Sequence, residues 1–197
     1  MQTEALITGN YYHIFNRGIN GEDLFKEQKN YFYFLKQYEH YCSGVFETYA
    51  YALLKNHFHI LVYVKECAPV RRNDGKGFYQ PDASKQLSHF FNSYTQSINK
   101  SYNRTGPLFE SPFERKCIDD DKYLTSVIYY CHFNPQTHGF VNNFKDWEFT
   151  SYDSLLNNHQ GFLATEKVIN WFGGVSPFEQ AHTNTDTLKD KRSFLIE

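Results

Sequence analysis

Two runs of β-forming residues meet at one short join. GVFETYAYALLKN (44–56) is rich in aromatics, HFHILVYVKE (57–66) is apolar apart from two histidines, and LLKNH is all that links them. So short a join leaves no room for a crossover, so the two strands are expected to be antiparallel neighbours. The second strand carries His57 and His59 on either side of Phe58. Side chains alternate along a strand, so both imidazoles project from one face and Phe58 from the other. Two imidazoles at this spacing can bind one divalent ion. Hydrogen-bonded histidines on a half-exposed strand are the commoner meaning of the pattern.

The remaining segments build a sheet around this pair. NYYHIFNRG (10–18) is β-rich and RGINGED reads as a turn after it. Residues 26–42 place Phe32, Leu35, Tyr38 and Tyr41 at helical spacing. Residues 67–84 hold two Pro, two Gly and the adjacent pair Arg71 and Arg72, and read as a loop. Residues 84–106 form a long helix with Leu87, Phe90, Phe91, Tyr94 and Ile98 as its apolar stripe, ended by Gly106. PLFESPFERKCI (107–118) is a loop followed by a fourth strand. Residues 119–135 form a helix with an N-capping Asp cluster, stopped by NPQTHG.

The order β-α-β-β-α-β-α is α+β. Its first six elements match a ferredoxin-like split βαβ, an antiparallel four-stranded sheet with helices on one face. The expected organisation is a main domain over residues 1–152 and a C-terminal helical extension with a polar tail over 153–197.

Composition narrows the function. The chain has 197 residues, room for one domain with a core. Its 16 Tyr and 19 Phe mean that aromatic rings make much of that core. A net charge of -2 and a pI near 6.5 argue against a protein that coats nucleic acid through a broad basic face. A small basic groove or a metal ion remains compatible with them. Cys42, Cys67, Cys117 and Cys131 form no zinc spacing and read as reduced thiols, which points to the cytoplasm. The N-terminus lacks the pattern of a signal peptide, and no apolar stretch reaches membrane-spanning length.

A metal enzyme needs a third ligand and a group to activate. Tyr130 and Asn134 are four residues apart, on one face of the helix over 119–135. Asn134 offers a carbonyl oxygen suited to Mg²⁺ or Mn²⁺, and Tyr130 a hydroxyl able to attack a metal-bound phosphate. Tyr129, one residue earlier and about 100° round the helix, competes for the role. By spacing alone either tyrosine is as easily a core ring.

Several segments together resemble the HUH endonucleases, more closely the Y1 transposases of the IS200/IS605 type, and most closely the REP-associated tyrosine transposases. YYHIFNRGINGEDLF resembles the opening strand and turn of that family, and YALLKNHFHILV its HUH strand, although relatives often have Pro where this chain has Lys55. SHFFNSYTQSINKSYNRTGPLFES resembles the middle helix and following loop. DDDKYLTSVIYYCHFNPQTHGFV resembles the catalytic helix and WEFTSY the element after it. The match runs over residues 11–152, with five motifs in order.

The resemblance implies roles. His57, His59 and Asn134 would bind a divalent metal, Mg²⁺ or Mn²⁺. Tyr130, four residues before Asn134, would attack a phosphate of single-stranded DNA, often read beside an imperfect hairpin. It would hold the 5′ side of the break and leave a free 3′-OH for strand transfer. Arg17 and Arg104, in matched motifs, and Arg115 and Lys116 beside one are candidates for phosphate contacts, with Arg71 and Arg72 in the loop. Dimers that share active sites and monomers both occur in the family, so a homodimer is one expectation. The other readings are a relaxase of the same fold and a non-catalytic nucleic-acid-binding protein derived from a transposase.

Overall fold

The computed structural model describes residues 4–72, 74–157 and 161–183. Most of the polar tail expected at the C-terminus lies outside them. At the centre is an antiparallel sheet of β1 (Tyr11–Arg17), β2 (Phe46–Leu53), β3 (His57–Val64) and β6 (Glu114–Ile118), in the order β2-β3-β1-β6. Helix α1 (Gln28–Cys42) links β1 to β2, and α2 (Ala83–Ser101) lies between β3 and β6. The split βαβ arrangement is therefore as expected.

Residues 67–84 are not wholly irregular. They hold a small hairpin, β4 (Val70–Arg71) paired with β5 (Phe78–Tyr79). Strands of two residues carry no readable period, so the sequence showed only the Gly and Pro of the turn. Helix α2 ends at Ser101, earlier than Gly106, because Asn103 turns into the left-handed region at φ 51°.

Period-two alternation sorts the two faces of the sheet. On one face Phe58 packs against Phe34 of α1 and Phe91 of α2, with ring centroids 5.2 and 5.7 Å away. Tyr38 of α1 bonds through its hydroxyl to Thr48 of β2 on the same side, 2.7 Å. The two helices of the ferredoxin-like core thus share one face, and their aromatic stripes meet there.

Helix α3 (Asp121–Thr137) lies outside that core and covers the opposite face, over β2 and β3. Ala50 and Ala52 on β2 pair with Leu61 and His59, so they point toward α3, and both are fully buried. Their small side chains let the helix come close to the strand. Pro135 sits inside α3, and the helix runs two residues past the expected end, to Thr137. Proline removes one backbone donor there, but so near the helix end it costs a single bond.

The C-terminal elements close the exposed edge of β2. Leu53 N–H donates to Phe149 O at 2.8 Å, Trp147 Nε1–H donates to Leu53 O at 2.9 Å, and Ala164 N–H donates to Thr48 O at 2.8 Å. An edge strand left open would invite pairing with another chain. Helices α4 (Ser151–Asn157), α5 (Thr165–Trp171) and α6 (Val175–Thr183) follow. Trp171 of α5 stacks on Tyr49 of β2 at 4.6 Å, where a register shift turns the strand.

A buried line of hydrogen bonds ties α6 to α3. His182 Nδ1 lies 2.7 Å from the Phe178 carbonyl, which can only accept. In the neutral ring Nε2 then accepts, and His132 Nδ1–H donates to it at 2.8 Å. His132 Nε2 in turn accepts from Ser151 Oγ–H at 2.8 Å, and Ser151 Oγ accepts from Tyr51 N–H at 3.0 Å. Every proton in this line has one consistent place when both rings are neutral. Burial, and second His182, hold the His132 pKa well below the usual histidine value.

Candidate active site

The site forms where β3 and β1 face α3. His57 and His59 project from β3 toward the helix, as alternation requires. The ring of Tyr130 meets His59 edge-on at a centroid distance of 4.9 Å. His57 Nε2 lies 3.2 Å from Asn134 Oδ1, and its Nδ1 lies 2.8 Å from Asn56 Oδ1. The two histidine rings are 5.2 Å apart. The helix spacing of Tyr130 and Asn134 thus matches the strand spacing of the histidines, one helix residue against each ring.

Tyr129 and Tyr130 separate cleanly. Tyr129 is 7% exposed and packs against Phe172 and His182, with centroids 5.5 and 4.7 Å away. Burial raises its pKa, which opposes its use as a nucleophile. Tyr130 is half-buried and faces the histidines.

Two further histidines join the group. His13 of β1 is 4% exposed, and its Nε2 lies 3.0 Å from His59 Nδ1. Its ring is 5.8 Å from that of Tyr130. His138, just past the end of α3, meets His57 edge-on at 5.0 Å. Neither was singled out from the sequence. Alternation in NYYHIFNRG puts His13 on one face with Arg17, but nothing local says that this face meets His59.

The donors of the site suit a hard or borderline divalent ion. Ligands about 2.1 Å from one ion and at right angles are about 3 Å apart, and His57 Nε2 and Asn134 Oδ1 have that separation. Asn134 is fully buried, and its Nδ2 has no hydrogen-bond partner among the described residues. An unpaired buried amide donor costs free energy, a cost that a cation bound at Oδ1 would offset. Asn56 can accept from His57 Nδ1–H, leaving Nε2 as the coordinating atom. Among the described residues no three His, Cys, Asp or Glu side chains gather as a metal site. The set here is two imidazoles and an amide oxygen.

Strand register sorts the expected basic residues. Arg17 pairs directly with His57, and Lys116 with His13, so both lie on the face of the site. Arg17 is 67% exposed and bonds Glu110 at 2.8 Å. Lys116 sits over the Tyr123 ring at 4.9 Å. Arg115 pairs with Ile14 and points to the other face, stacked on Phe113 at 4.5 Å. Arg104 is 13% exposed, with its guanidinium held by Glu22 and Asn99 at 2.6 Å each. The structure therefore brings Arg17 and Lys116 to the histidines and leaves Arg115 and Arg104 apart from them. Arg71 and Arg72 lie on and beside the β4–β5 hairpin.

Ser151, His132 and His182 also form a serine–histidine line, but it is not a reaction centre. All three are buried, and Ser151 Oγ is occupied by a backbone N–H. All four cysteines are free thiols, with Cys42 and Cys131 buried and their pKa values raised by that burial. Among the described residues no helix is long and apolar enough to cross a membrane.

No protein-family model matches the chain. It is 29% identical over 119 residues to a Haemophilus influenzae protein provisionally described as a REP-associated tyrosine transposase. The aligned part covers 58% of this chain and 61% of that relative, so the chain spans under two thirds of the relative's length. The fold is similar to that of a REP-associated tyrosine transposase solved with a REP hairpin bound. The TM-score is 0.63 at 17% identity, over 81% of this chain and 87% of that one. A bacterial tRNA(His) guanylyltransferase-like protein solved with ATP aligns with a TM-score of 0.38 at 12% identity, over 79% of this chain and 72% of that one, too low to carry an argument. The resemblance to REP-associated tyrosine transposases that the motifs suggest is thus present in both sequence and fold.

Proposed function

We propose that this relative of the REP-associated tyrosine transposases is a metal-dependent endonuclease and strand transferase acting on single-stranded DNA beside a hairpin. One observation carries the reading. Tyr130, and not Tyr129, faces His59 on the sheet, four residues before the Asn134 whose Oδ1 lies 3.2 Å from His57 Nε2.

In this reading the Tyr130 hydroxyl oxygen attacks a backbone phosphorus in line. The P–O bond to tyrosine forms as the bond to the 3′ oxygen breaks. The phenol proton passes to solvent, and the departing 3′ oxygen takes a proton up. The products are a 5′-phosphotyrosine and a free 3′-OH, and the reverse attack by a 3′-OH joins strands without an external energy source. His57, His59 and Asn134 would hold Mg²⁺ or Mn²⁺, which when bound supplies Lewis-acid polarisation of the phosphoryl oxygen. Asn56 orients His57 through Nδ1. The sheet face and α3 together bury His59 and Asn134, so charge on the phosphate meets fixed dipoles rather than bulk water.

Arg17 and Lys116 suit the approaching strand, since both lie beside the histidines. Arg17→Gln is expected to make the slope of log affinity against log salt shallower by about 0.7 for a single-stranded oligonucleotide, the loss of one phosphate contact. An unchanged slope would remove Arg17 from the interface.

Chelation separates this reading from that of a protein that only binds nucleic acid. EDTA is expected to abolish cleavage of a hairpin oligonucleotide with a single-stranded flank, and added Mg²⁺ or Mn²⁺ to restore it. Cleavage that persists in EDTA would rule out metal dependence. Tight binding with no cleavage under any metal, across a broad hairpin set, would favour the non-catalytic protein.

A further inference from the structure

We propose that His13 is a positioning residue that sets the tautomer of His59 and so makes it able to bind metal. The inference rests on the metal-site reading above, and its basis is a single buried hydrogen bond. His13 Nε2 and His59 Nδ1 are 3.0 Å apart, and the two residues are 4% and 2% exposed.

Between two neutral imidazoles one nitrogen must donate and the other accept. If His13 donates, His59 Nδ1 accepts and the His59 proton sits on Nε2, where it blocks coordination. If His59 donates from Nδ1, its Nε2 carries a lone pair. Only the second arrangement yields a ligand. With its own proton on Nδ1, His13 accepts at Nε2 and does for His59 what Asn56 does for His57, whose Nδ1 lies 2.8 Å from the Asn56 amide oxygen. Each ligand histidine has its own partner on the nitrogen that does not coordinate. Such partners fix ring orientation and raise ligand basicity, and losing one commonly weakens metal binding by roughly 10–100-fold.

The fold holds His13 in that role. The β1–β3 register pairs Phe15 with His59 and Leu61 with His13, so the two histidines are diagonal neighbours on one face. Phe15 packs against both rings, at 5.0 Å from His13 and 5.8 Å from His59. Tyr130 closes the other side, 5.8 Å from His13. A ring packed this way has little freedom to turn its Nε2 elsewhere.

Two measurements on the full chain test the proposal, both at one fixed neutral pH. The first is nitrogen NMR of the imidazoles in the metal-free wild type, which needs no variant. It is expected to show His59 protonated on Nδ1; a His59 proton on Nε2 would overturn the proposal. The second is Mn²⁺ affinity by calorimetry for the wild type, His13→Leu and His13→Gln, with His59→Ala as the reference for a lost ligand. His13→Leu is expected to bind Mn²⁺ roughly 10–100-fold more weakly. His13→Gln, whose amide oxygen can still accept, is expected to recover most of that loss. Equal affinity in wild type and folded His13→Leu would overturn the role of His13 while leaving the metal site standing. No Mn²⁺ binding by the wild type would overturn both.

Discussion

Tyr130→Phe is expected to abolish strand cleavage, by roughly 10³-fold or more, the scale on which loss of a nucleophile acts. The substitution removes one oxygen and leaves the ring, so the contacts to His59 and His13 persist and the fold is unchanged. Tyr129→Phe is expected to cleave like the wild type. Its ring is locked among Phe172 and His182 on the far side of the helix, and about 100° of helical rotation keeps its hydroxyl away from the histidines. Cleavage of a labelled hairpin oligonucleotide by the two variants, with circular dichroism to establish folding, distinguishes them. Full activity in Tyr130→Phe would end the assignment.

The second large effect concerns stability. His132→Leu is expected to destabilise the protein by about 3 kcal/mol at neutral pH, because Ser151 and His182 lose their shared partner in the interior. Leucine is close to histidine in size, so little of the cost comes from a cavity. The effect also depends on pH. The folded-state pKa of His132 is depressed, while the unfolded chain titrates near the ordinary histidine value of about 6.5. Above that value neither state takes a proton and the contribution to stability is complete. As pH falls below it, the unfolded state binds a proton that the folded state refuses. Stability then drops by up to about 1.4 kcal/mol per pH unit from this group alone. Urea melts of wild type and His132→Leu between pH 7.5 and 5 would show it. The difference between the two proteins should shrink toward acid; a constant difference would mean that His132 is not the neutral link.

Much of this architecture was legible because its signals are local. The aromatic stripes of α1 and α2, the alternation in HFHILVYV and the helix spacing of Tyr130 and Asn134 each lie within a few residues of sequence. They suffice for the sheet and for the face that carries His57 and His59; that the helix of Tyr130 and Asn134 meets this face is implied only by the resemblance to the transposase family. What could not be read depends on register between distant strands. His13 lies 46 residues from His59, and only the β1–β3 pairing makes them neighbours. The same holds for Arg115 and Lys116. Alternation says that they point to opposite faces, but the pairing with β1 decides which face holds the histidines. Arg104 sits in a matched motif, but its ion pair with Glu22 spans 82 residues and has no local signal. The edge-closing role of WEFTSY was unreadable for another reason. Its backbone and the Trp147 indole close the edge of β2, and an edge is a property of the finished sheet.

Mass-spectrometric mapping of a covalent protein–DNA adduct tests the central claim most directly. The wild type would be incubated with Mg²⁺ or Mn²⁺ and a hairpin oligonucleotide bearing a cleavable single-stranded flank, then digested with protease and nuclease. The account predicts a nucleotide joined through its 5′ phosphate to Tyr130, absent when EDTA replaces the metal. A nucleotide on Tyr129 or any other residue, a 3′ linkage, or cleavage with no adduct at all would contradict it.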